Sequence, residues 1–372
     1  MMSVVAMLCL VALGVMSCKK HEPSASTEAP ESTETNYSGD SKEEEHDSRI
    51  LAMQGWKLSS EEVKKLEEKL QANPEDLISR TKVLGWYSQK RFSSESACKA
   101  RHKHIIWFIQ NHPDAQIAGT PEIHLDPVLD KEVYYKAKNL WLEQTEVQKT
   151  NAVVLGNAAK FLLIHDSKIA EELLKKAQAL EPENPKWPEQ LGHLYSLGLA
   201  RKSAGTKTEL ASQALRQFEK SSTTTTSDRE KFYKLADLAK MAYEAGDLRK
   251  AENYANELLA QAVQYKNDWN YGNAIHHGNL VLGRIALKSG DLEKAKQYLV
   301  KAGKTPGSPQ LNSFGPNMAL AKELLEKNER EIVIQYFELC GTFWKRGQVD
   351  LNKRTALVRK GRTPDFRANL DY

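Results

Sequence analysis

Apolar residues recur at helical spacing from about residue 58 onward, in segments of about 12 to 15 residues separated by short Gly, Asp and Pro breaks. The first segment opens with Ser59 and Glu62, whose spacing is that of a capping box at a helix N-terminus. Its apolar stripe is Val63, Leu66 and Leu70, and it ends at Asn73-Pro74. Apolar and polar residues rarely alternate at strand spacing. The pattern therefore predicts an all-α fold.

The helical segments repeat with a spacing near 34 residues. The clearest unit contains Leu282-Gly283, Ala286, Gly290-Asp291, Ala295, Leu299 and Ala302, and the preceding one contains Leu238-Ala239, Ala242, Gly246-Asp247, Ala251, Ala255 and Leu258. The intervals agree between the two units. Weaker copies begin near Leu84, Ala158 and Trp187, and residues 115–150 and 260–275 are longer connectors. A helix of its own is predicted between about Pro127 and Thr150.

These units resemble the tetratricopeptide repeat, a pair of antiparallel helices with small residues at the crossing. The resemblance covers roughly residues 75–305. It implies a right-handed superhelix of antiparallel helix pairs, closed by a C-terminal capping segment because the last repeat would otherwise expose an apolar face. A generic helical bundle is the alternative, but it does not explain the recurring order of Leu-Gly/Ala, Gly-Asp and Ala. The predicted repeat domain spans 57–312, and the cap with a basic tail spans 313–372.

The resemblance also implies a ligand groove lined by the first helix of each pair. By register, the candidate partner-binding residues are Trp86, Lys90, His193, Tyr233, Lys240, Tyr243, His277, Arg284 and Lys288. This set is aromatic and basic, which suits an acidic peptide or an anionic polymer.

A second candidate is the segment 268–279, which is dense in aromatic and amide side chains. Trp269 and Tyr271 in this segment offer large contact area for recognition. The same segment could instead form a polar network that braces the entry to the last repeat, and the sequence leaves both interpretations open.

The N-terminus predicts export. Residues 4–15 are apolar but too short to span a bilayer, as in a signal-peptide core. Val15-Met16-Ser17-Cys18 resembles the bacterial lipoprotein box, which implies a signal peptide at 1–17, acylation of Cys18 and attachment to the membrane through lipid. An ordinary cleaved signal is the alternative. We expect a place on the periplasmic face of the cell envelope, with Lys19 slightly favouring the outer membrane.

The N-terminal segment and the rest of the chain differ in charge. Residues 18–56 read as an acidic, disordered tether rich in Ser, Thr, Pro and Glu. Since the whole chain has a formal net charge of +4, the remainder is more basic. A basic body indicates acidic partners or a polyanionic polymer, and a plain solvated surface is an equal alternative.

Motifs of common catalytic sites are missing from the sequence. It contains no phosphate-binding Gly-rich loop, G-x-S-x-G or H-E-x-x-H motif, and no cofactor is predicted. Cys98 and His102 share a helix face, but His104 should point elsewhere and no further ligand lies at zinc spacing, so no metal site is predicted. Cys98 and Cys340 are expected to be buried free thiols, although a disulfide stays open. The basic end from Lys353 to Tyr372 is expected to lie on the surface and not to bind nucleic acid.

These observations favour a non-catalytic, envelope-anchored scaffold that binds a protein partner. The alternative is a lipoprotein that binds polysaccharide or cell-wall polymer within an export or assembly machine. A hydrolase whose nucleophile and base meet only on folding is a third class that the sequence does not exclude.

Overall fold

The computed structural model describes residues 47–199 and 204–370, and all regular secondary structure in these ranges is helical. The chain divides into two compact units, one ending at Glu181 and one starting at Pro182. This division falls inside the range predicted as a single repeat domain. The proposed signal peptide, Cys18 and most of the tether lie outside the described residues.

The N-terminal unit contains seven α-helices in its described part. They are α1 (Ser48–Trp56), α2 (Ser60–Ala72), α3 (Leu77–Lys90), α4 (Glu95–Asn111), α5 (Lys131–Val147), α6 (Ala152–Leu162) and α7 (Ser167–Leu180). Helix α5 confirms the helix predicted between Pro127 and Thr150.

The C-terminal unit contains ten α-helices within residues 182–199 and 204–370. They are α8 (Lys186–Gly198), α9 (Ala204–Thr224), α10 (Asp228–Glu244), α11 (Leu248–Ala262), α12 (Tyr271–Lys288), α13 (Leu292–Gly303), α14 (Pro309–Phe314), α15 (Ala319–Glu326), α16 (Arg330–Phe343) and α17 (Gln348–Arg359). Helices α8 and α9, α10 and α11, and α12 and α13 pack as consecutive pairs. The predicted all-α architecture of consecutive helix pairs is confirmed. None of the described helices has both the length and the apolar character required to cross a bilayer.

The capping box predicted at α2 is present. The Ser59 side chain accepts a hydrogen bond from the Glu62 backbone N–H at 3.2 Å, and the Ser59 N–H donates to Glu62 Oε2 at 2.7 Å. Val63 and Leu70, which belong to this helix, are buried. The start of α2 is therefore fixed by local sequence.

The two clearest repeats use the same turn between their helices. Gly246 and Gly290 both have positive φ, +85° and +87°. The following residues, Asp247 and Asp291, then cap the second helix by accepting a backbone N–H at 3.0 Å. Gly takes the left-handed conformation at little cost, and Asp is a strong N-cap, so Gly-Asp ends one helix and starts the next.

Helix α1 corrects the predicted extent of the tether. Residues 48–56 were expected to be disordered, but they form a helix whose Ala52 is fully buried against α3. A Cβ on Gly85 would lie 2.2 Å from the Ala52 carbonyl oxygen, and a Cβ on Gly55 would lie 2.0 Å from that of Lys82. The two backbones touch at this crossing, which only glycine permits.

The C-terminal helices cover the last repeat pair. One hydrophobic core joins Ala295 and Leu299 of α13 to Leu320 of α15 and Phe337 of α16. This shared core is what a solenoid cap requires, because it buries the apolar face of the last pair.

The basic end is part of this cap. Lys353 to Tyr372 was expected to lie on the surface, and that prediction is wrong for its inward-facing residues. Arg354 of α17 is buried and donates to the Phe366 carbonyl at 3.2 Å and to Asn369 Oδ1 at 3.0 Å. Phe366 is 1% exposed. The buried arginine thus satisfies carbonyl groups of Phe366 and Asn369.

Both described cysteines are free, Cys340 buried and Cys98 half-buried. His104 points away from Cys98, as predicted, with Nε2 3.0 Å from Glu67 Oε1. A third side chain that could bind a metal lies beside Cys98 and His102, because the fold places Asp130 Oδ1 2.8 Å from His102 Nε2.

Candidate partner-binding face

The first helices of the three pairs in the C-terminal unit share one line of polar residues. Helix α10 packs against α12, and an ion pair joins α8 to α10. We call this line the first-helix face. Its members are Glu189 and His193 of α8, Lys234, Asp237, Lys240, Tyr243 and Glu244 of α10, and His277, Arg284 and Lys288 of α12.

At the α8 end of the face, the half-buried Glu189 lies between the buried side chains of His193 and Lys234. Lys234 Nζ lies 2.5 Å from its Oε2, and His193 Nε2 lies 3.8 Å from its Oε1. Burial opposes ionisation, but the nearby His193 imidazole and the charge of Lys234 together lower the pKa of Glu189 to about 2. His193 also packs edge-on against Phe218. This end is held together by the protein's own charges.

In the middle of the face, the half-buried His277 faces Lys240 across α10 and α12. Burial, followed by the charges of His276 and Lys240, lowers the pKa of His277 well below its usual value. His277 is therefore neutral at pH 7 and can act as a hydrogen-bond donor or acceptor. It adds no positive charge to the face.

At the far end, Arg284 lies between two carboxylates. It reaches Glu244 Oε1 at 2.6 Å and Glu323 Oε1 at 2.7 Å, and its guanidinium stacks 4.1 Å above the Tyr243 ring. Burial disfavours the charged form, but the two carboxylates more than compensate and raise the pKa of Arg284. Lys288 is exposed, with Nζ 5.7 Å from the same ring.

The first-helix face is therefore balanced in charge. Its cationic side chains Lys234, Lys240, Arg284 and Lys288 are matched by the acidic side chains Glu189, Asp237, Glu244 and Glu323. The sequence identified Lys240, Arg284 and Lys288 but neither Lys234 nor the carboxylates, since Glu323 belongs to the cap and Glu244 to the end of a neighbouring helix. An acidic ligand would have to displace these carboxylates to reach Arg284, so the structure does not favour simple recognition of a polyanion.

Residues of the segment 268–279 separate into two groups. Asn273 donates to Asn270 Oδ1 at 2.9 Å and accepts from Ser308 Oγ at 2.6 Å, inside the protein. His276 is fully buried; its Nδ1 lies 3.2 Å from the Ala302 carbonyl, and its Nε2 accepts from the Asn317 N–H at 3.1 Å. These residues form the bracing network, which was one of the two interpretations of the segment.

The aromatic residues of the segment lie apart from that network. Trp269 and Tyr271 are half-buried, and the Trp269 ring is 5.3 Å from the Tyr233 ring. The Tyr233 hydroxyl donates to Asp268 Oδ2 at 2.7 Å, which also accepts from Arg229 Nε at 2.8 Å. The indole N–H of Trp269 is buried and meets no acceptor among the described residues. Tyr233 and Trp269 thus form an aromatic pair at the start of α10 and α12.

Two predicted site residues belong to the N-terminal unit. Trp86 is half-buried, donates from Nε1 to the Leu58 carbonyl at 2.9 Å and packs on the core around Val63. Lys90 is exposed, 6.0 Å from the Trp86 ring. Trp86 has a structural role there, and the two residues are not part of the first-helix face.

No protein-family model matches the sequence, and none of the curated proteins matches it. Among solved structures, that of PilF from Pseudomonas aeruginosa is similar over 68% of this chain and 98% of its own, with 14% sequence identity and a TM-score of 0.37. A TM-score at this level does not establish a common fold. The architecture described above rests on the helices and turns of this chain itself.

Proposed function

We propose that this protein is a non-catalytic helical scaffold that binds a protein partner through the first-helix face of its C-terminal unit. The observation that carries this proposal is the face itself, where helices α8, α10 and α12 present ordered charged and aromatic side chains in one line. Side chains held by cross-helix ion pairs are pre-organised, so binding orders fewer groups. Tyr and Arg, which dominate many protein interfaces, occur together at Tyr243 and Arg284.

The balanced charge specifies the kind of partner. A partner segment that carries both signs of charge can exchange ion pairs with the face without leaving a carboxylate buried and unpaired. A strongly acidic polymer would meet Glu189, Glu244 and Glu323 and would be repelled. We therefore infer a protein partner with mixed charge, whose binding depends only weakly on salt.

Affinity capture with matched charge variants tests this function. Three baits are used on solubilised envelopes: the native chain, the double variant Lys240→Glu/Lys288→Glu, and the control double variant Lys294→Glu/Lys301→Glu. The control makes the same charge change on the second helix of the last pair, where both lysines are exposed. We expect the native and control baits to retain the same protein at about 0.05 M and about 0.5 M salt, and the first-helix variant to lose most of it. Equal retention by all three baits would refute the assignment of the face.

The aromatic pair Tyr233 and Trp269 supports a second candidate function, binding of polysaccharide or cell-wall polymer. Two half-buried aromatic rings whose centroids lie 5.3 Å apart offer flat surfaces on which a sugar ring can stack. In the same capture experiment, this function predicts that the native bait retains carbohydrate. The Trp269→Ala bait should lose that carbohydrate, whereas protease treatment of the envelopes should not change its retention.

We further propose that Cys18 is acylated and anchors the chain to the envelope membrane, with the outer membrane favoured by Lys19. The support is the sequence Val15-Met16-Ser17-Cys18 after a short apolar stretch. Cys18→Ala is expected to move the protein from the membrane to the soluble fraction, because it removes the acylated side chain. The control Cys9→Ala, inside the apolar stretch, should leave the protein on the membrane. If Cys18→Ala stays membrane-bound, the lipid anchor is wrong.

A further inference from the structure

A thiol, an imidazole and a carboxylate converge in the N-terminal unit, whereas the first-helix face belongs to the C-terminal unit. Cys98 and His102 lie one turn apart on α4, and Asp130 immediately precedes α5. The distances are 3.5 Å from Cys98 Sγ to His102 Nε2, 2.8 Å from His102 Nε2 to Asp130 Oδ1, and 4.0 Å from Cys98 Sγ to Asp130 Oδ1. These three atoms form a group of potential metal ligands within 4.8 Å of one another.

The arrangement is not that of a nucleophile with its base. In a catalytic triad, the orienting carboxylate binds one ring nitrogen of histidine and the nucleophile faces the other. Here the thiol and the carboxylate both approach Nε2 of His102. One nitrogen cannot serve as acceptor for the thiol while it donates to the carboxylate. A common centre to which all three atoms bind satisfies them together.

The spacing fits a tetrahedral metal. With metal–sulfur bonds of about 2.3 Å and metal–nitrogen or metal–oxygen bonds of about 2.0 Å, tetrahedral ligand atoms lie roughly 3.3 to 3.6 Å apart. The Sγ–Nε2 distance already has this value, and the other two distances need shifts of about half an ångström. Cys98 and His102 have the i, i+4 spacing that places two side chains on one face of a helix.

The carboxylate is held in place by its own loop. Asp130 Oδ2 accepts from the Asp126 N–H at 3.0 Å, which leaves Oδ1 directed at His102. Asp126 Oδ1 in turn accepts from the N–H groups of Val128 and Leu129 at 2.8 and 3.0 Å. Hydrogen bonds that orient a ligand in this way are typical of metal sites.

The surroundings select the kind of metal. Arg91 and Arg101 carry positive charge close to Cys98 and Asp130, which disfavours a cation bound by charge alone, such as Mg²⁺ or Ca²⁺. A metal that prefers sulfur and imidazole ligands gains enough from those bonds to overcome the repulsion. We propose that Cys98, His102 and Asp130 bind a divalent transition metal of the Zn²⁺ class, with a fourth position for water or an external ligand.

Calorimetric titration of the full chain with Zn²⁺ tests this site. Variants Cys98→Ser and Asp130→Asn each remove one ligand with little change in shape. His112→Gln is the matched control, since His112 forms a similar pair with Glu75 at 2.6 Å but belongs to no three-ligand group in the described part of the chain. Cys340→Ala controls for the loss of a thiol.

We expect one Zn²⁺ equivalent that both ligand variants bind more than about tenfold more weakly, whereas His112→Gln and Cys340→Ala bind it as the native chain does. Replacement by Co²⁺ should produce a thiolate-to-metal charge-transfer band that Cys98→Ser lacks. Zn²⁺ should also raise the unfolding temperature of the native chain, a readout that does not require a folded variant. Unchanged affinity in Cys98→Ser and Asp130→Asn would overturn the proposal, and so would a native chain that Zn²⁺ neither binds nor stabilises.

Discussion

Gly85→Ala is expected to destabilise the N-terminal unit by about 3 kcal/mol and to lower its unfolding temperature by roughly 10 °C. The added Cβ would lie 2.2 Å from the Ala52 carbonyl oxygen and 2.8 Å from its carbonyl carbon. Both are backbone atoms, so no side-chain rotation relieves the clash and α1 must move away from α3. Alanine normally stabilises a helix relative to glycine, which makes the predicted sign diagnostic of the close crossing.

Thermal unfolding followed by circular dichroism measures this effect. Gln89→Ala is the control, because Gln89 is exposed on the same helix. It should change the stability by less than about 0.5 kcal/mol. A Gly85→Ala variant as stable as the native chain would show that α1 does not cross α3 at Gly85. The segment 48–56 would then be assigned to the disordered tether.

His276 is expected to make the C-terminal unit unstable in mild acid. Burial lowers the pKa of His276 from 6.5 to about 4, despite its hydrogen bond to Ala302. Between these two pH values the unfolded chain binds a proton that the folded chain does not, so folding stability falls as the pH falls. The loss from this residue amounts to about 3 kcal/mol between pH 6.5 and pH 4 and levels off below the folded pKa. In the folded chain, Nε2 accepts a hydrogen bond from the Asn317 N–H. Protonation of Nε2 would replace this hydrogen bond with two N–H groups that face each other.

Urea unfolding at pH 7 and pH 4 measures this loss, with His276→Gln as the comparison. The variant loses hydrogen bonds at neutral pH and is less stable there, but it has no proton to gain at this position. Its stability should therefore depend on pH less steeply than that of the native chain, by about 3 kcal/mol over the same interval. Parallel pH profiles of the two chains would show that His276 is not the acid-sensitive group.

The sequence predicted those parts of the fold that depend on near neighbours. Ser59 and Glu62 cap one helix within four residues, and Gly290-Asp291 ends one helix and begins the next. Small residues at fixed intervals then identified the helix pairs. Each of these signals acts within one repeat, so no knowledge of the tertiary structure was needed.

Interactions that join distant positions were not predictable in this way. Arg284 belongs to the expected register, but its partners Glu244 and Glu323 are 40 and 39 residues away and help to neutralise the positive charge expected for the face. Asp130 is 28 residues from His102 and completes a group of potential metal ligands that the spacing alone did not reveal. The sequence indicates that Arg354 is a basic residue of an exposed tail, whereas in the structure it donates hydrogen bonds to Phe366 and Asn369. The sequence gives the number of charged residues, whereas the fold determines which of them form ion pairs.

Site-specific photo-crosslinking in intact cells tests the central claim, that the first-helix face is the partner site. A photoreactive amino acid is placed at Lys288 on the first helix of the last pair, or at Lys294 on the second helix, both of which are exposed. The account predicts a discrete protein adduct from position 288 that is absent from position 294 and disappears when Lys240→Glu is added. Adducts of the same partner from both positions, or from position 294 alone, would contradict the account.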